Sequence, residues 1–242
     1  NGVDLSGKDL SNSDFSYADF AGTNLENTNL TGAKFVDVDL TKIKNKSLAG
    51  ADLSGTSFAY SNLSDVSLVG AILKLNNFRN ANLSGLDFSV TDVFTDGLIF
   101  IKSNLSNSNF EGVDLSPKEP YFQVFENKAY LMRGVTQSSE AELMIKKELF
   151  GNDHVLIFSA EISGNDLAVN YVFFNNFTDA NLENVNFKNA DLGYADFYAA
   201  NLTNADISGA DLTNTNLFGA DLTDVIIDAN TILKCKNHQI CN

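Results

Sequence analysis

Large apolar residues recur at every fifth position over most of this chain, most clearly between Ala190 and Asp228. A short residue, mostly Ala, lies two positions before each of them, and Asp or Asn lies just before it. A period of five fits neither the 3.6 of a helix nor the 2.0 of a strand. The pattern therefore predicts a chain that turns a corner every five residues and stacks coil on coil. The large residues of this stretch are Leu192, Phe197, Leu202, Ile207, Leu212, Leu217, Leu222 and Ile227.

The motif A-(D/N)-(L/F)-x-x of this stretch resembles that of the pentapeptide-repeat family. The resemblance implies an all-β fold, a right-handed quadrilateral β-helix in which four pentapeptides form one coil. Counting the regular units then predicts about nine to ten coils. Known members of the family include proteins that shield type II topoisomerases by mimicking DNA, and many others without an assigned role.

Breaks in the period divide the chain into three parts. We expect the N-terminal part of the solenoid at residues 1–115, a non-repeat insert at 116–154, and the C-terminal part of the solenoid with a cap at 155–242. The register also slips at 41–47, which predicts a small lysine-rich loop, and after Leu98, which precedes Leu105 by seven residues. The repeat is expected to resume at Ile157.

The insert contains signals for a β-hairpin and a short helix. The runs YFQVF (121–125) and AYLMRGV (129–135) predict the hairpin. Ser139 and Glu142 form a capping box ahead of EAELMIKKELF, which predicts about three turns of helix. Such a helix is marginal by itself in water, so we expect the insert to dock on a solenoid wall. The period places Phe94 and Phe100 on an outward wall, and exposed apolar patches are rare, so we expect the insert to cover them. The other expected contacts are Phe158, Phe173 and Phe174.

Residues twenty apart should stack on one face of the solenoid. This spacing places Phe158, Thr178, Tyr198 and Phe218 in one column, and Phe174, Tyr194 and Asn214 in another. The aromatic residues could form a structural ladder or an outward contact surface. The candidate protein-binding residues are Phe94, Phe100, Tyr121, Phe125, Arg133, Tyr194, Tyr198 and Phe218.

The net charge of −15 argues against direct binding of nucleic acid, because phosphates repel such a surface. It suits a basic partner or a mimic of DNA. Most Asp residues occupy the position before the central residue, where their ordinary role is to form turns. No apolar run approaches the ~18–20 residues that a membrane span needs.

Cys235 and Cys241 flank His238 beyond the last repeat. A disulfide is expected if the protein is exported, and free thiols or a metal site are the alternatives. A metal would find only three ligands within a cramped span. The cysteine pair favours an extracytoplasmic over a cytoplasmic location.

No catalytic constellation stands out, since His154 and His238 lie in different regions and phosphate-loop and G-x-S-x-G motifs are absent. We expect a non-enzymatic protein without cofactor or metal, which binds another protein through an acidic wall and the insert (Tyr121 to Gln137). The main alternative is a DNA-mimicking protector or inhibitor of gyrase. An enzyme centred on Glu126, Arg133 or Glu142 lacks convergent groups. A homodimer through a solenoid end is a further expectation.

Overall fold

The computed structural model describes residues 2–93, 97–117, 121–125, 155–163 and 166–241. It contains two compact units, Asn1–Ser116 with Asn175–Asn242, and Pro117–Phe174. Phe94, Arg133, the predicted second hairpin strand and the predicted helix lie outside the described residues.

In the first unit, parallel bridges join successive coils, mostly between residues twenty apart. The bridges line up in four columns, which define faces A to D of a four-sided β-helix. Face A carries Asp4, Asn24, Ser47, Ser67, Asp87, Asn109, Asn186, Asp206 and Ile226. Face B carries Asp9, Asn29, Asp52, Ile72, Asp92, Asp114, Asp191, Asp211 and Ile232, with the short strands β1 (Ile72–Leu73) and β2 (Asp92–Val93) paired in parallel. Face C carries Asp14, Lys34, Ser57, Asn77, Ile99, Asn176, Asp196, Asn216 and Lys236. Face D carries Asp39, Asn62, Asn82, Asn104, Asn181, Asn201 and Asp221.

The corners explain why the motif needs short polar residues. The N–H of Lys8 donates to the carbonyl of Leu5 at 3.1 Å and closes a turn, and the same bond recurs along the chain. The third residue has a positive φ in most of these turns, 66° at Gly7 and 56° at Asn12, as a type II turn requires. The carboxylate of Asp4 accepts the N–H of Ser6 at 3.0 Å, which fixes the entry to the corner.

Gly209 and Gly219 provide a matched test of these corners, because both have a φ of +70°. A Cβ on Gly219 would lie 3.9 Å from its nearest neighbour, whereas one on Gly209 would overlap Oδ1 of Asn189 and lie 3.4 Å from its Cγ. We expect Gly219→Ala to cost about 1–2 kcal/mol for the left-handed backbone alone. Gly209→Ala should cost about 0.5–1.5 kcal/mol more, since Asn189 must leave its rotamer. Urea unfolding followed by circular dichroism measures both; equal losses would contradict the role of Asn189.

The central residue of nearly every unit points inward and forms the core, whereas Ile227 near the C-terminal end is 45% exposed. On face C the central residue is a phenylalanine in seven successive coils, with neighbouring ring centroids 4.6–5.5 Å apart. Each buried large side chain stabilises the fold by about 1.5–3 kcal/mol before entropy is subtracted. The rings belong to Phe15, Phe35, Phe58, Phe78, Phe100, Phe177 and Phe197.

Phe100 belongs to this ladder, so its predicted place on the outer wall and its predicted role in protein binding are wrong. It is fully buried, and Ile99 before it bridges Asn77 and Asn176. Leu98 therefore takes the position two before the central Phe100. The next central residue, Leu105, follows Phe100 by five positions. The register slip lies before Leu98 rather than after it.

The predicted loop at 41–47 is confirmed as a three-residue insertion, because Asn29 bridges Asp52 across 23 residues. It consists of two 3-10 turns, Leu40–Lys42 and Lys44–Lys46. Ile43 between them is buried, and the Lys42 ammonium lies 3.1 Å from a carboxylate oxygen of Asp39. The loop is thus anchored by one apolar side chain while its lysines lie outside.

The second unit contains an antiparallel sheet, so the predicted return of the repeat at Ile157 is wrong. Its strands are β3 (Tyr121–Phe125), β4 (Val155–Ser163) and β5 (Asp166–Phe173), in the order β3-β5-β4. The register pairs Tyr121 with Tyr171 and Ile162 with Leu167. Tyr121–Phe125 is a strand as predicted, but the neighbour it has here is β5. Phe158 and Phe173 therefore belong to this sheet, and the β-helix resumes where Asn176 bridges Ile99.

The C-terminal end contains the predicted disulfide between Cys235 and Cys241. A 3-10 turn, Gln239–Cys241, follows the last bridge. Leu233 packs against the core, whereas Ile232, which continues the five-residue spacing after Ile227, is a bridge residue opposite Asp211. The final unit is thus one residue longer than the repeat, and Leu233, Ile240 and both cysteines pack against the core.

Candidate protein-binding surfaces

Face C carries an exposed aromatic pair near the C-terminal end. Tyr198 and Phe218 follow the central residues of consecutive coils, and their rings stack with centroids 5.6 Å apart and 13° between planes. They are 44% and 55% exposed, and Tyr194 on the preceding corner is 41% exposed. The ladder interpretation is therefore confirmed for these two rings, which are also exposed, and their role as a contact surface stays a prediction.

The backbone beneath this aromatic pair is fixed by side chains of the bridge column. The N–H of Tyr198 donates to Oδ1 of Asp196 at 3.0 Å, and that of Phe218 donates to Oδ1 of Asn216 at 3.2 Å. The Asn216 amide in turn donates to Asp196 at 2.8 Å. The aromatic side chains thus project from a backbone that two neighbouring coils hold in register.

Face C also differs from the other faces in its charge. Besides acidic residues, it carries Lys34, Arg79, Lys102 and Lys236. At its other end, Tyr17 and Tyr60 are 75% and 60% exposed. Sequence reasoning missed these two tyrosines; the available signal was their place two residues after a central Phe. Face C is therefore a mixed surface with both charges and exposed rings.

Faces A and B are the acidic sides of the β-helix. On face B, Asp114, Asp191 and Asp211 follow one another on consecutive coils. Ile72 and Ile232 interrupt the same column. On face A, the Lys188 ammonium pairs with a carboxylate oxygen of Asp206 at 3.0 Å. The acidic surface is thus strong but broken along its length.

Face D presents an amide ladder. Each Asn amide nitrogen donates to the amide oxygen of the coil before it, at 3.1–3.2 Å. The ladder continues from Asn104 to Asn181 across the insertion, so the coils on either side of the insertion share one hydrogen-bonded row. It comprises Asn62, Asn82, Asn104, Asn181 and Asn201. This ladder leaves the middle of face D without bridge-column carboxylates.

Several corner carboxylates have lowered pKa values. Hydrogen bonds from Thr223, first its hydroxyl and then its N–H, lower the pKa of Asp221, and Ser6 and Ser16 lower those of Asp4 and Asp14 in the same way. A carboxylate whose folded pKa is depressed stabilises the fold above its unfolded pKa of about 4. That contribution disappears as the pH falls through the folded pKa.

We therefore expect the melting temperature to fall when the pH is lowered from neutral to below about 4. Thr223→Ala removes the hydroxyl donor to Asp221, so the difference in melting temperature between it and the native protein should shrink in acid. Thermal unfolding at several pH values measures both effects. A difference that stays constant across the range would contradict this origin of the acid sensitivity.

The remaining predicted site residues are not brought together by the described chain. Tyr121 and Phe125 lie in β3, and Phe94 and Arg133 are outside the described residues. Within the described ranges, no group of three or more His, Cys, Asp or Glu side chains is placed to hold a metal ion. In the same described ranges, no helix is both long and apolar enough to cross a membrane.

A family model described as pentapeptide repeats (8 copies) matches the chain at residues 1–32, 9–44, 47–74, 62–92, 180–219 and 195–227. Together these matches cover more than half of its length. No curated protein matches the chain.

Three solved structures illustrate the structural neighbours. A trypsin-treated variant of QnrB1, a plasmid-mediated fluoroquinolone resistance protein, is 14% identical over 95% of this chain and 92% of its own, with a TM-score of 0.43. A pentapeptide repeat protein from the Arabidopsis thaliana thylakoid lumen is 24% identical over 46% of this chain and 68% of its own, with a TM-score of 0.21. Rfr23 from the cyanobacterium Cyanothece 51142 is 19% identical over 96% of this chain and 88% of its own, with a TM-score of 0.15. These values do not establish a shared function.

Proposed function

Because the chain belongs to the pentapeptide-repeat family, whose repeats build a right-handed quadrilateral β-helix, we propose that it is a non-enzymatic scaffold that binds another protein. The observation that supports this most directly is the exposed, stacked pair of Tyr198 and Phe218 with Tyr194 beside it. Tyr and Phe are enriched at the centres of protein interfaces, where they bury large areas at low entropic cost.

The rigidity of the support strengthens this proposal. A binding surface loses less entropy on association when its side chains are held before the partner arrives. Tyr198 and Phe218 restrict each other by stacking, and their backbone is fixed by Asp196 and Asn216. Rings that only filled gaps in the core would be buried, as Phe197 is.

The test compares affinity capture by the native protein, by Tyr198→Ser/Phe218→Ser, and by Val3→Ser/Ile226→Ser as a control that removes two other exposed apolar side chains. Circular dichroism first establishes that all three are folded. We expect a defined set of proteins to be retained by the native chain and the control but lost with the aromatic variant. Identical captured sets for all three would overturn this assignment of the binding surface.

The remaining details of this scaffold are also proposals. The insert (Tyr121 to Gln137, with Phe125 and Arg133) would add specificity, and Phe94 would belong to the same contact region. We also propose the predicted hairpin and helix within 116–154 and their docking on the β-helix. We further propose about nine to ten coils and a homodimer through a solenoid end. Arg133→Ala tests the insert directly, since a contact there predicts loss of captured protein without loss of melting temperature.

The second candidate function is protection or inhibition of gyrase through mimicry of DNA. The consecutive carboxylates of Asp114, Asp191 and Asp211 favour it, because they repeat a negative charge at regular intervals, as the phosphates of a strand also do. The breaks at Ile72 and Ile232 and the amide ladder of face D count against a continuous acidic stripe. A supercoiling assay distinguishes the two functions: protection or inhibition at micromolar protein supports mimicry, and no effect removes it.

A further inference from the structure

Face A contains a shallow groove with an apolar floor and two carboxylates at its edges. Its volume is about 310 Å³, and it lies between the coils centred on Leu68 and Phe88. Val69 and Val90 are 56% and 39% exposed there, on a face whose bridge residues are polar or acidic apart from Ile226. The lining residues are Asp65, Val66, Ser67, Leu68, Val69, Gly85, Asp87 and Val90, and none of these described residues is cationic.

Both carboxylates are held in place by the fold. Oδ1 of Asp87 accepts the N–H of Ser89 at 3.0 Å, the hydroxyl of Ser89 at 2.5 Å and the amide of Asn109 at 3.0 Å. Asp65 leans over the next coil, where a Cβ built on Gly85 would come within 2.6 Å of its Oδ1. Gly85 thus leaves the space that this carboxylate occupies.

From this geometry we infer that the groove binds an extended, lysine-rich segment of a partner protein. A lysine side chain combines an aliphatic stem with a cationic head, so its stem can cover Val69 and Val90 while its ammonium reaches Asp65 or Asp87. An acidic segment is repelled by the same carboxylates, and a purely apolar one leaves them without a counter-charge. The inference rests on the proposed scaffold function but concerns a surface separate from Tyr198 and Phe218.

Synthetic peptides test this without knowledge of the partner. One is rich in lysine, a second replaces lysine with diaminopropionate to keep the charge and shorten the stem, and a third is rich in glutamate. Amide shifts in the ¹⁵N-labelled full chain locate binding, and titration gives its strength. We expect the lysine peptide to shift the amides of Ser67, Val69 and Val90, the diaminopropionate peptide to bind more weakly, and the glutamate peptide not to bind.

Two variants with equal charge provide the control. Asp65→Asn/Asp87→Asn should weaken binding of the lysine peptide at least about tenfold, which corresponds to 1.4 kcal/mol. Asp191→Asn/Asp211→Asn makes the same change on face B and should leave it nearly unchanged. Both pairs use Asn, which the repeat accepts at bridge positions and also at the positive-φ corner position of Asp65, as Asn12 and Asn27 show, so loss of folding is not expected.

Equal weakening by the two variants would mean that the peptide senses only net charge, and it would overturn the inference. So would shifts confined to residues outside the groove, or equal binding of the lysine and diaminopropionate peptides. The affinity-capture experiment depends on face C and not on the groove. If capture succeeds and the lysine peptide does not bind the groove, only the groove inference is overturned. Failure of capture together with specific groove shifts would instead remove only the aromatic surface.

Discussion

Replacement of Phe100 by alanine is expected to destabilise the β-helix by about 3–5 kcal/mol. The ring is fully buried and lies between two others, 5.3 Å from Phe78 and 4.8 Å from Phe177. It also meets Phe88 and Phe110 edge-on, at 5.9 and 6.2 Å. Alanine would therefore leave a cavity in the middle of the ladder and remove four aromatic contacts. The shift in the urea midpoint, followed by circular dichroism, measures the loss.

Tyr198→Ala is the matched control, because it removes an aromatic ring from the outer side of the same face. Tyr198 is partly exposed and, among the described residues, stacks only on Phe218, so its loss should cost below about 1 kcal/mol. The two variants are thus expected to separate stability from binding. A stable Phe100→Ala protein that fails to capture its partner would restore the sequence-based placement of Phe100 on the outer wall.

The wrong outward placement of Phe100 shows where a five-residue period stops being sufficient to predict which residue points inward. Where one unit holds a single large apolar residue, as in the stretch from Ala190 onward, the period predicts the inward position directly. The run from Leu98 to Ile101 has four apolar residues in succession, so periodicity alone cannot choose the centre. The choice is made by the bridges of Ile99 to Asn77 and Asn176, which lie far away in the sequence.

The false return of the repeat at Ile157 has a different cause. Ile157, Ile162, Leu167 and Val172 are spaced by five, and this spacing suggested solenoid units. Most corners, however, have a residue with positive φ two positions after the centre, and Val90 after Phe88 is an exception. Val169 occupies that position after Leu167, where a β-branched residue disfavours positive φ. The chain instead forms the antiparallel strands β4 and β5.

The chemistry of the faces was only partly predictable. The twenty-residue spacing correctly stacked Tyr198 on Phe218, because no insertion lies between them. The amide ladder joins Asn104 to Asn181 across 77 residues, and such a pair cannot be aligned without knowing where the insertion begins and ends. The groove at Val69 and Val90 likewise depends on residues from two coils and a corner. Period and composition give the core, while outer surfaces depend on insertions that shift one coil against the next.

Asn175 gives the second large effect, and here the repeat pattern and the structure predict opposite results. It lies two residues before the central Phe177, where the next coil has Ala195, so the pattern favours alanine at this position. In the structure Asn175 is buried, and its amide nitrogen donates to the Leu115 carbonyl at 2.6 Å while its oxygen accepts the N–H of Leu98 at 2.8 Å. These bonds join the residues on both sides of the insertion.

Asn175→Ala should therefore destabilise the protein, by about 1–3 kcal/mol for each backbone group left buried and unpaired. Hydrogen exchange should rise first at the Leu98 amide, because that N–H loses its acceptor. Asn175→Asp provides the sharper control: it keeps an acceptor for Leu98 but buries a carboxylate, whose pKa is raised by burial. The loss in free energy of unfolding that Asn175→Asp causes should be smaller in acid, where the neutral carboxyl can donate to the Leu115 carbonyl. An Asn175→Ala protein as stable as the native one would mean that the repeat consensus, and not this junction, governs the position.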